Sequence, residues 1–179
     1  MWQVKSTRTA FDNKWWQIKE EEVVLPSGKE IKYYVRERLG AAITFPLTKG
    51  NQVVLLDQYR HAKRSRFMEF PAGTIEQGQT PEENAEAELQ EETGYVSSSI
   101  KKMAEIPFSP GYETGLIHFF VATECSREKE TNHEATEDIK VLTMPMAEYK
   151  RKLLSGQIKH GVCDRLAGFM ALNYLGELK

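Results

Sequence analysis

The stretch Gly73-Thr-Ile-Glu-Gln-Gly-Gln-Thr-Pro-Glu-Glu-Asn-Ala-Glu-Ala-Glu-Leu-Gln-Glu-Glu-Thr-Gly94 reads as a loop, a strongly started helix and a glycine stop. Thr80 is a natural N-cap, Pro81 takes the first helical position, and Glu83 three residues past the cap completes a capping box. Glu82 and Glu83 face the positive end of the helix dipole, and Gly94 suits the left-handed residue after the last turn. Ala85 and Leu89 lie one turn apart on one face. Glu88 and Glu92 are likewise one turn apart, with Glu91 between them in angle. Three carboxylates therefore share one edge of a short helix.

Like charges one turn apart cost a helix roughly 0.2–0.5 kcal/mol per pair, and no Lys or Arg occurs from Glu69 to Ile100 to neutralise these. Such a cluster relaxes by taking up protons or by binding a cation. Hard oxygen ligands at this spacing suit Mg2+, Mn2+ or Ca2+. The bland alternative is a solvated acidic face, since charge runs usually lie at the surface.

The same stretch resembles the signature of the Nudix hydrolases: glycine, five residues, Glu, seven residues, then Arg-Glu-apolar-x-Glu-Glu-x-Gly-apolar. Gly73, Glu88, Leu89, Glu91, Glu92, Gly94 and Tyr95 fall at matching positions. Two positions depart: Gln79 stands where the family has its first Glu, and Ala87 where it has Arg. In the family that Arg supports the metal-binding carboxylates, and the early Glu belongs to the same polar network. Losing both is self-consistent, because losing one leaves the other's polar group without its partner.

The length, 179 residues, suits one domain with a full core, alone or with a small extension. A composition of 40% hydrophobic and 28% charged residues is ordinary for a soluble globular protein. A net charge of -2 gives no basic surface for nucleic acid. The cysteines, Cys125 and Cys163, lack metal or redox spacing, which favours a reducing compartment. No stretch is apolar and long enough to cross a membrane, and the N-terminal residues lack a signal-peptide pattern, so the expectation is a cytoplasmic protein with no membrane partner. His61, His118, His133 and His160 are scattered, which speaks against a His-ligated zinc site.

Trp16–Val24 and Ile31–Arg36 read as two strands about the turn Pro26-Ser27-Gly28-Lys29, an antiparallel ribbon that must pack on its own domain or on a partner. Trp15, Trp16, Tyr33 and Tyr34 gather there, for packing, base stacking or a dimer contact. Ala41–Leu47 and Val53–Tyr59 form a hairpin turned at Lys49-Gly50-Asn51. Its second strand, apolar on both faces, is expected to be central and delivers Arg60, a planar cation suited to a diphosphate. Glu69 lies between apolar neighbours in a short strand that ends in Pro71-Ala72-Gly73, either exposed at an edge or part of a site. After the acidic helix come strands at Ile100–Ile106 and Leu116–Ala122, an acidic loop over Ser126–Asp138 and a strand at Ile139–Leu142. That loop is solvent-facing, or closes over a cation-loaded substrate and brings Glu134 or Glu137 to the chemistry. Helices are expected at Met146–Leu154 and Gly161–Leu175, the second burying Val162, Leu166, Phe169 and Met170.

The resemblance extends beyond the box. A ribbon, then a strand ending Gln58-Tyr59-Arg60, then Glu69-Phe70-Pro71-Ala72-Gly73, then the box, with Ser109-Pro110-Gly111 downstream, is similar to the branch that hydrolyses ADP-ribose and other nucleoside diphosphate sugars. The resemblance implies an α/β/α sandwich with a mixed sheet, residues 39–179, preceded by a ribbon, residues 1–38, that serves dimerisation. It also implies a homodimer and Mg2+ or Mn2+ as cofactor. Carried over by position, the Ala72 carbonyl, Glu88 and Glu92 hold metal with Glu91 close by. Glu137, or Glu134 as its neighbour, is the loop catalytic Glu. Arg60 contacts the diphosphate in the neighbourhood of Glu69, Trp15 and Tyr33 stack on the base, and Arg38 reaches a phosphate across the dimer. The departures at Gln79 and Ala87 keep a second reading open, a Nudix-like module that binds a nucleotide sugar without cleaving it.

Overall fold

The computed structural model describes Met1–Leu178. Two compact units arise, one of Met1–Gly40 with Ile106–Ile117, the other of Ala41–Glu105 with the chain from His118 onward.

In the first unit β1 (Gln3–Asp12), β2 (Gln17–Val24) and β3 (Glu30–Glu37) form an antiparallel sheet in the order β1-β2-β3. The two-stranded ribbon expected from sequence is thus corrected to three strands among the described residues. Strand β1 carries no apolar alternation because every one of its residues is exposed, so it sends no period-two signal. Its backbone ladder to β2 attaches it, with Arg8 adding an ion pair. Glu20 on β2 is buried and is reached by Arg8 at 2.6 Å, Lys32 at 2.9 Å and the Tyr34 hydroxyl at 2.8 Å. The hydrogen bonds from Lys32 and then Arg8 pull its carboxyl down to about 2. Segment Ile106–Ile117 joins β3 through Arg36 N–H donating to the Tyr112 carbonyl (2.7 Å) and Thr114 N–H donating to the Arg36 carbonyl (3.1 Å). Gly40, at φ 119°, sits against the Leu116 backbone with no room for a Cβ.

The second unit is built on a mixed sheet of β4 (Gly40–Thr48), β5 (Gln52–Arg60), β8 (Tyr95–Val96), β10 (Leu116–Arg127) and β11 (Ile139–Pro145), in the order β11-β5-β4-β10-β8. Strand β6 (Ser65–Glu69) adds to β5, β7 (Ala72–Thr74) to β4, and β9 (Ser99–Pro107) to β10. The α/β class expected from sequence is what the chain adopts. Val53, Val54, Leu55 and Leu56 have no exposed surface, as a strand apolar on both faces requires. Asn51 closes the β4–β5 hairpin at φ 56°, in the left-handed region that Asn tolerates.

Helix α1 (Pro81–Thr93) has its full capping box, with Thr80 and Glu83 exchanging both bonds, and ends on Gly94 at φ 75°. Its Ala85 packs on Ala42 of β4 and Phe120 of β10, and its Leu89 on Ala122 and Cys125 of β10. Helix α2 (Met146–Leu154) sends Tyr149 into an aromatic cluster with Phe45 and Phe70, ring centroids 5.0–5.9 Å apart. In helix α3 (Val162–Tyr174) the expected buried face is corrected. Asp164, Ala167, Gly168, Ala171 and Leu172 are buried, whereas Val162 is 81% exposed and Leu166, Phe169 and Met170 are half-buried. The cause is close packing: Gly168 lies under the Tyr149 hydroxyl, where any Cβ would clash, so the side facing the core carries small residues. Among the described residues no helix is long and apolar enough to cross a membrane.

Candidate active site

Strand β7 and helix α1 are fastened together at the carboxylates. Ala72 N–H donates to Glu92 Oε2 at 2.9 Å, and the Glu88 carboxylate lies directly over Gly73, where an ideal Cβ would fall 1.6 Å from Oε1. Gly73 is therefore required by its neighbour, and its backbone φ is not in the left-handed region. Glu92 is 5% exposed, Glu88 half-buried and Glu91 exposed. Burial pushes the Glu88 carboxyl up to about 7, with further upward push from Glu91 and Glu137. Burial also raises Glu92 well above the carboxylate range, against the Ala72 hydrogen bond and with Glu88 and Glu137 adding to the rise. Among the described residues neither Glu88 nor Glu92 has an ion-pair partner. Buried carboxylates pushing one another upward, without a paired cation, form a hard-oxygen donor set that suits a divalent ion. Among the described residues no group of three His, Cys, Asp or Glu side chains is placed to hold a metal ion. The fit therefore rests on the Glu88–Glu92 pair and the β7 backbone beside it.

The acidic loop is tied down more firmly than its composition suggests. Glu128 and Lys129 N–H both donate to the Gly94 carbonyl, Asn132 N–H donates to the Glu91 carbonyl at 2.8 Å, and His133 Nε2 lies 2.8 Å from the Glu92 carbonyl. These contacts occupy the free carbonyls at the end of α1. They hold the turn in which Glu134 N–H meets Glu137 Oε2 and Glu137 N–H meets the Glu134 carbonyl. Glu137 is half-buried and acts electrostatically on both Glu88 and Glu92, whereas Glu134 is exposed and acts more weakly on Glu88. Glu137 is thus the more enclosed of the two loop acids.

Arg60, at the end of β5, holds Glu69 of β6 in a fork, with Nε 2.9 and 3.0 Å from the two carboxylate oxygens and Nη2 on Oε2. Half of the Arg60 side chain remains exposed, and Glu69 is mostly covered. Behind this pair, Asp164 Oδ1 accepts from Phe70 N–H at 2.9 Å and His160 Nδ1 lies 2.5 Å from the Met68 carbonyl. The β6–β7 junction is thereby clamped from the start of α3. Burial raises Asp164 to about 7 and lowers His160 to about 4. Sequence reasoning missed Asp164 and His160. The one available signal was an acidic residue in the first turn of an otherwise apolar helix.

Family models match this chain as a NUDIX domain over residues 37–162 and as a nucleoside diphosphate sugar hydrolase N-terminal domain over residues 2–35. The chain belongs to the Nudix family. Among curated Nudix relatives it is 29% identical over 149 residues to an ADP-ribose pyrophosphatase of Bacillus subtilis (strain 168), covering 83% of this chain and 80% of that protein. It is 31% identical over 144 residues to a GDP-mannose pyrophosphatase of Escherichia coli O1:K1 / APEC, covering 76% and 75%. A crystal structure of an ADP compounds hydrolase superposes with a TM-score of 0.85 over 99% of this chain and 95% of that one, at 18% identity, which speaks for the fold alone.

The remaining expected site residues of this Nudix chain lie in the first unit. A cavity of about 330 Å3 there is lined by Trp16, Ile18, Tyr34, Arg36, Phe108 and Tyr112. The Arg36 guanidinium stacks 3.8 Å from the Trp16 ring centre. Trp15 and Tyr33, expected to stack on a base, are their immediate neighbours and do not line it. Trp15 is 64% exposed, while Tyr33 packs edge-on against Trp2 and donates its hydroxyl to the Gly111 carbonyl. The alternation of β3 explains the difference, since Tyr34 and Arg36 project from one face and Tyr33 from the other. Arg38 is 3.5 Å from Glu113, a carboxylate it shares with Arg36.

Proposed function

We propose that this chain hydrolyses the diphosphate bond of ADP-ribose or a related nucleoside diphosphate sugar, giving a nucleoside monophosphate and a sugar phosphate. The observation that carries the reading is the pair of buried Glu92 and half-buried Glu88, without an ion-pair partner among the described residues and set against the β7 backbone at Ala72 and Gly73. Family membership and relatives named for pyrophosphatase activity on ADP-ribose and GDP-mannose support the substrate class.

A divalent ion, Mg2+ or Mn2+, supplies charge neutralisation at the diphosphate and a water acidified for attack. Glu88, Glu92 and the Ala72 carbonyl would hold it, with Glu91 at the solvent edge. Glu137 takes the proton of the attacking water, and Glu134 shapes the turn that presents it. Arg60 offers the exposed side of its guanidinium to the diphosphate while Glu69 fixes the plane of the fork. The aromatic cavity of Trp16, Tyr34 and Arg36, with Trp15 and Tyr33 beside it, is a stacking surface for the nucleobase. A homodimer through the three-stranded sheet and a cytoplasmic setting complete the reading. Exposed Trp2, Val4 and Phe11 support the former.

Incubating the purified protein with ADP-ribose and Mn2+ should release AMP and ribose 5-phosphate. Binding of ADP-ribose with no AMP released would favour the non-cleaving module, for which the residues Gln79 and Ala87 speak.

A further inference from the structure

Asn84 lies on α1 one turn before Glu88 and is 2% exposed. Its Nδ2 faces three oxygens: the Thr74 carbonyl at 3.3 Å, Gln79 Oε1 at 3.2 Å and Glu88 Oε1 at 3.5 Å. The orientation of this amide follows from its neighbours. A backbone carbonyl only accepts, and Gln79 Oε1 is marked as the oxygen because it also accepts from Glu76 N–H at 3.1 Å. The Asn84 NH2 group therefore points at all three. Its own Oδ1 is buried with no hydrogen-bond donor among the described residues. Such an amide is a poor choice for packing: asparagine is a weak helix former, and a leucine of similar size would bury no unpaired oxygen. The amide donates to the same Glu88 oxygen that lies over Gly73.

We propose that Asn84, oriented by Gln79, is a positioning residue that fixes the Glu88 carboxylate over Gly73. Gln79 and Ala87 are then no sign of a dismantled site. Gln79 offers an amide oxygen to a neutral donor, and Ala87 is half-buried with no polar group to satisfy. A neutral donor steadies the carboxylate without neutralising it, so its charge stays available to a cation. This inference rests on the reading of Glu88 as a metal-binding group.

The test compares Asn84→Leu and Gln79→Ala with the wild type. It uses three readouts: kcat and KM for ADP-ribose at saturating Mn2+, the Mn2+ dissociation constant by electron paramagnetic resonance without substrate, and the thermal midpoint. Asn84→Leu should lower kcat about 10–100-fold and weaken Mn2+ binding about 10-fold, with KM held within about twofold. Gln79→Ala should give the same pattern at roughly 3-fold, because Asn84 keeps its tie to the Thr74 carbonyl. A lowered midpoint with wild-type kcat and wild-type Mn2+ affinity makes Asn84 a structural residue only and overturns the proposal. Should Asn84→Leu not fold, an unchanged kcat and Mn2+ affinity in Gln79→Ala overturns it alone. A wild type that binds Mn2+ yet cleaves no nucleoside diphosphate sugar sinks the hydrolytic reading. The Mn2+ arm would still decide the role of Asn84.

Discussion

Gly73→Ala separates site geometry from fold stability. The added Cβ would fall 1.6 Å from Glu88 Oε1 and 2.9 Å from Glu88 Cγ, so the side chain must retreat by roughly 2 Å to reach ordinary contact distance. The three nearest atoms all belong to this one flexible side chain, and Gly73 does not hold a left-handed φ. The backbone cost is therefore small, and the lower entropy of the unfolded alanine chain offsets part of it by about 0.4–1 kcal/mol. The thermal midpoint should move by no more than about 4 °C. Activity should not be spared. A misplacement of about 1 Å costs on the order of 100-fold, so a 2 Å retreat of a metal-binding carboxylate should lower kcat roughly 100–1,000-fold, about 3–4 kcal/mol in the barrier. The assay is AMP release from ADP-ribose at saturating Mn2+, with the midpoint measured on the same preparation. A folded variant whose kcat stays within about threefold of wild type would show that Glu88 need not lie over Gly73 for turnover.

Glu92→Gln should also abolish most turnover while sparing the fold, because glutamine keeps an oxygen for the Ala72 N–H. A fall of at least about 100-fold in kcat is expected, and full activity would remove Glu92 from the metal set. Glu88 and Asp164 each titrate near 7 in the folded chain, above their unfolded values, so the stability they confer is complete at low pH and lost as pH rises through about 7. His160, lowered to about 4, works the other way, holding its contribution above its unfolded value and losing it as pH falls toward 4. Metal-free protein should therefore be more stable at pH 6 than at pH 8, by about 1–2 kcal/mol after allowing for solvent screening of the half-exposed Glu88. Mn2+ should raise the midpoint more at pH 8. A metal-free midpoint that climbs between those two pH values contradicts the assignment. Trp16→Ala should raise KM for ADP-ribose about 5–30-fold with little change in kcat, the loss of one base-stacking surface. An unchanged KM would take the aromatic cavity out of substrate binding.

Legibility in the sequence followed how local each interaction is. The α1 caps, the Gly94 stop and the burial of Val53–Leu56 depend on residues near one another in the chain, and each was readable. Glu88 and Glu92 were readable as a pair because helical geometry alone sets them one turn apart. What they touch was not, since Ala72 and Gly73 reach them only through the pairing of β7 with β4. Strand β1 escapes because its backbone ladder to β2 and the Arg8–Glu20 ion pair, rather than a buried face, hold it. The buried side of α3 was misjudged because its apolar stripe at helical spacing was weighed by hydrophobicity. The core beside Tyr149 selects for small size. Which of the paired aromatics Tyr33 and Tyr34 lines the cavity is a one-residue matter of strand parity, which the sequence leaves open when both neighbours are aromatic.

Helix α1 shows why such a site survives as a stable element. A buried and a half-buried carboxylate that repel one another, with a buried asparagine, on 13 residues would weaken an average helix. Compensation is concentrated at its ends and on one narrow stripe. The Thr80–Glu83 box satisfies donors at the start, and the loop from Glu128 to His133 satisfies carbonyls at the finish. Ala85 and Leu89 anchor the stripe on β4 and β10. In the metal-free chain the repulsion between Glu88 and Glu92 is met by proton uptake, since burial and mutual charge raise both carboxyls. A divalent ion would take the place of those protons, and its binding would stabilise the folded chain. That exchange accounts for a helix so carefully secured everywhere except at its two central acids.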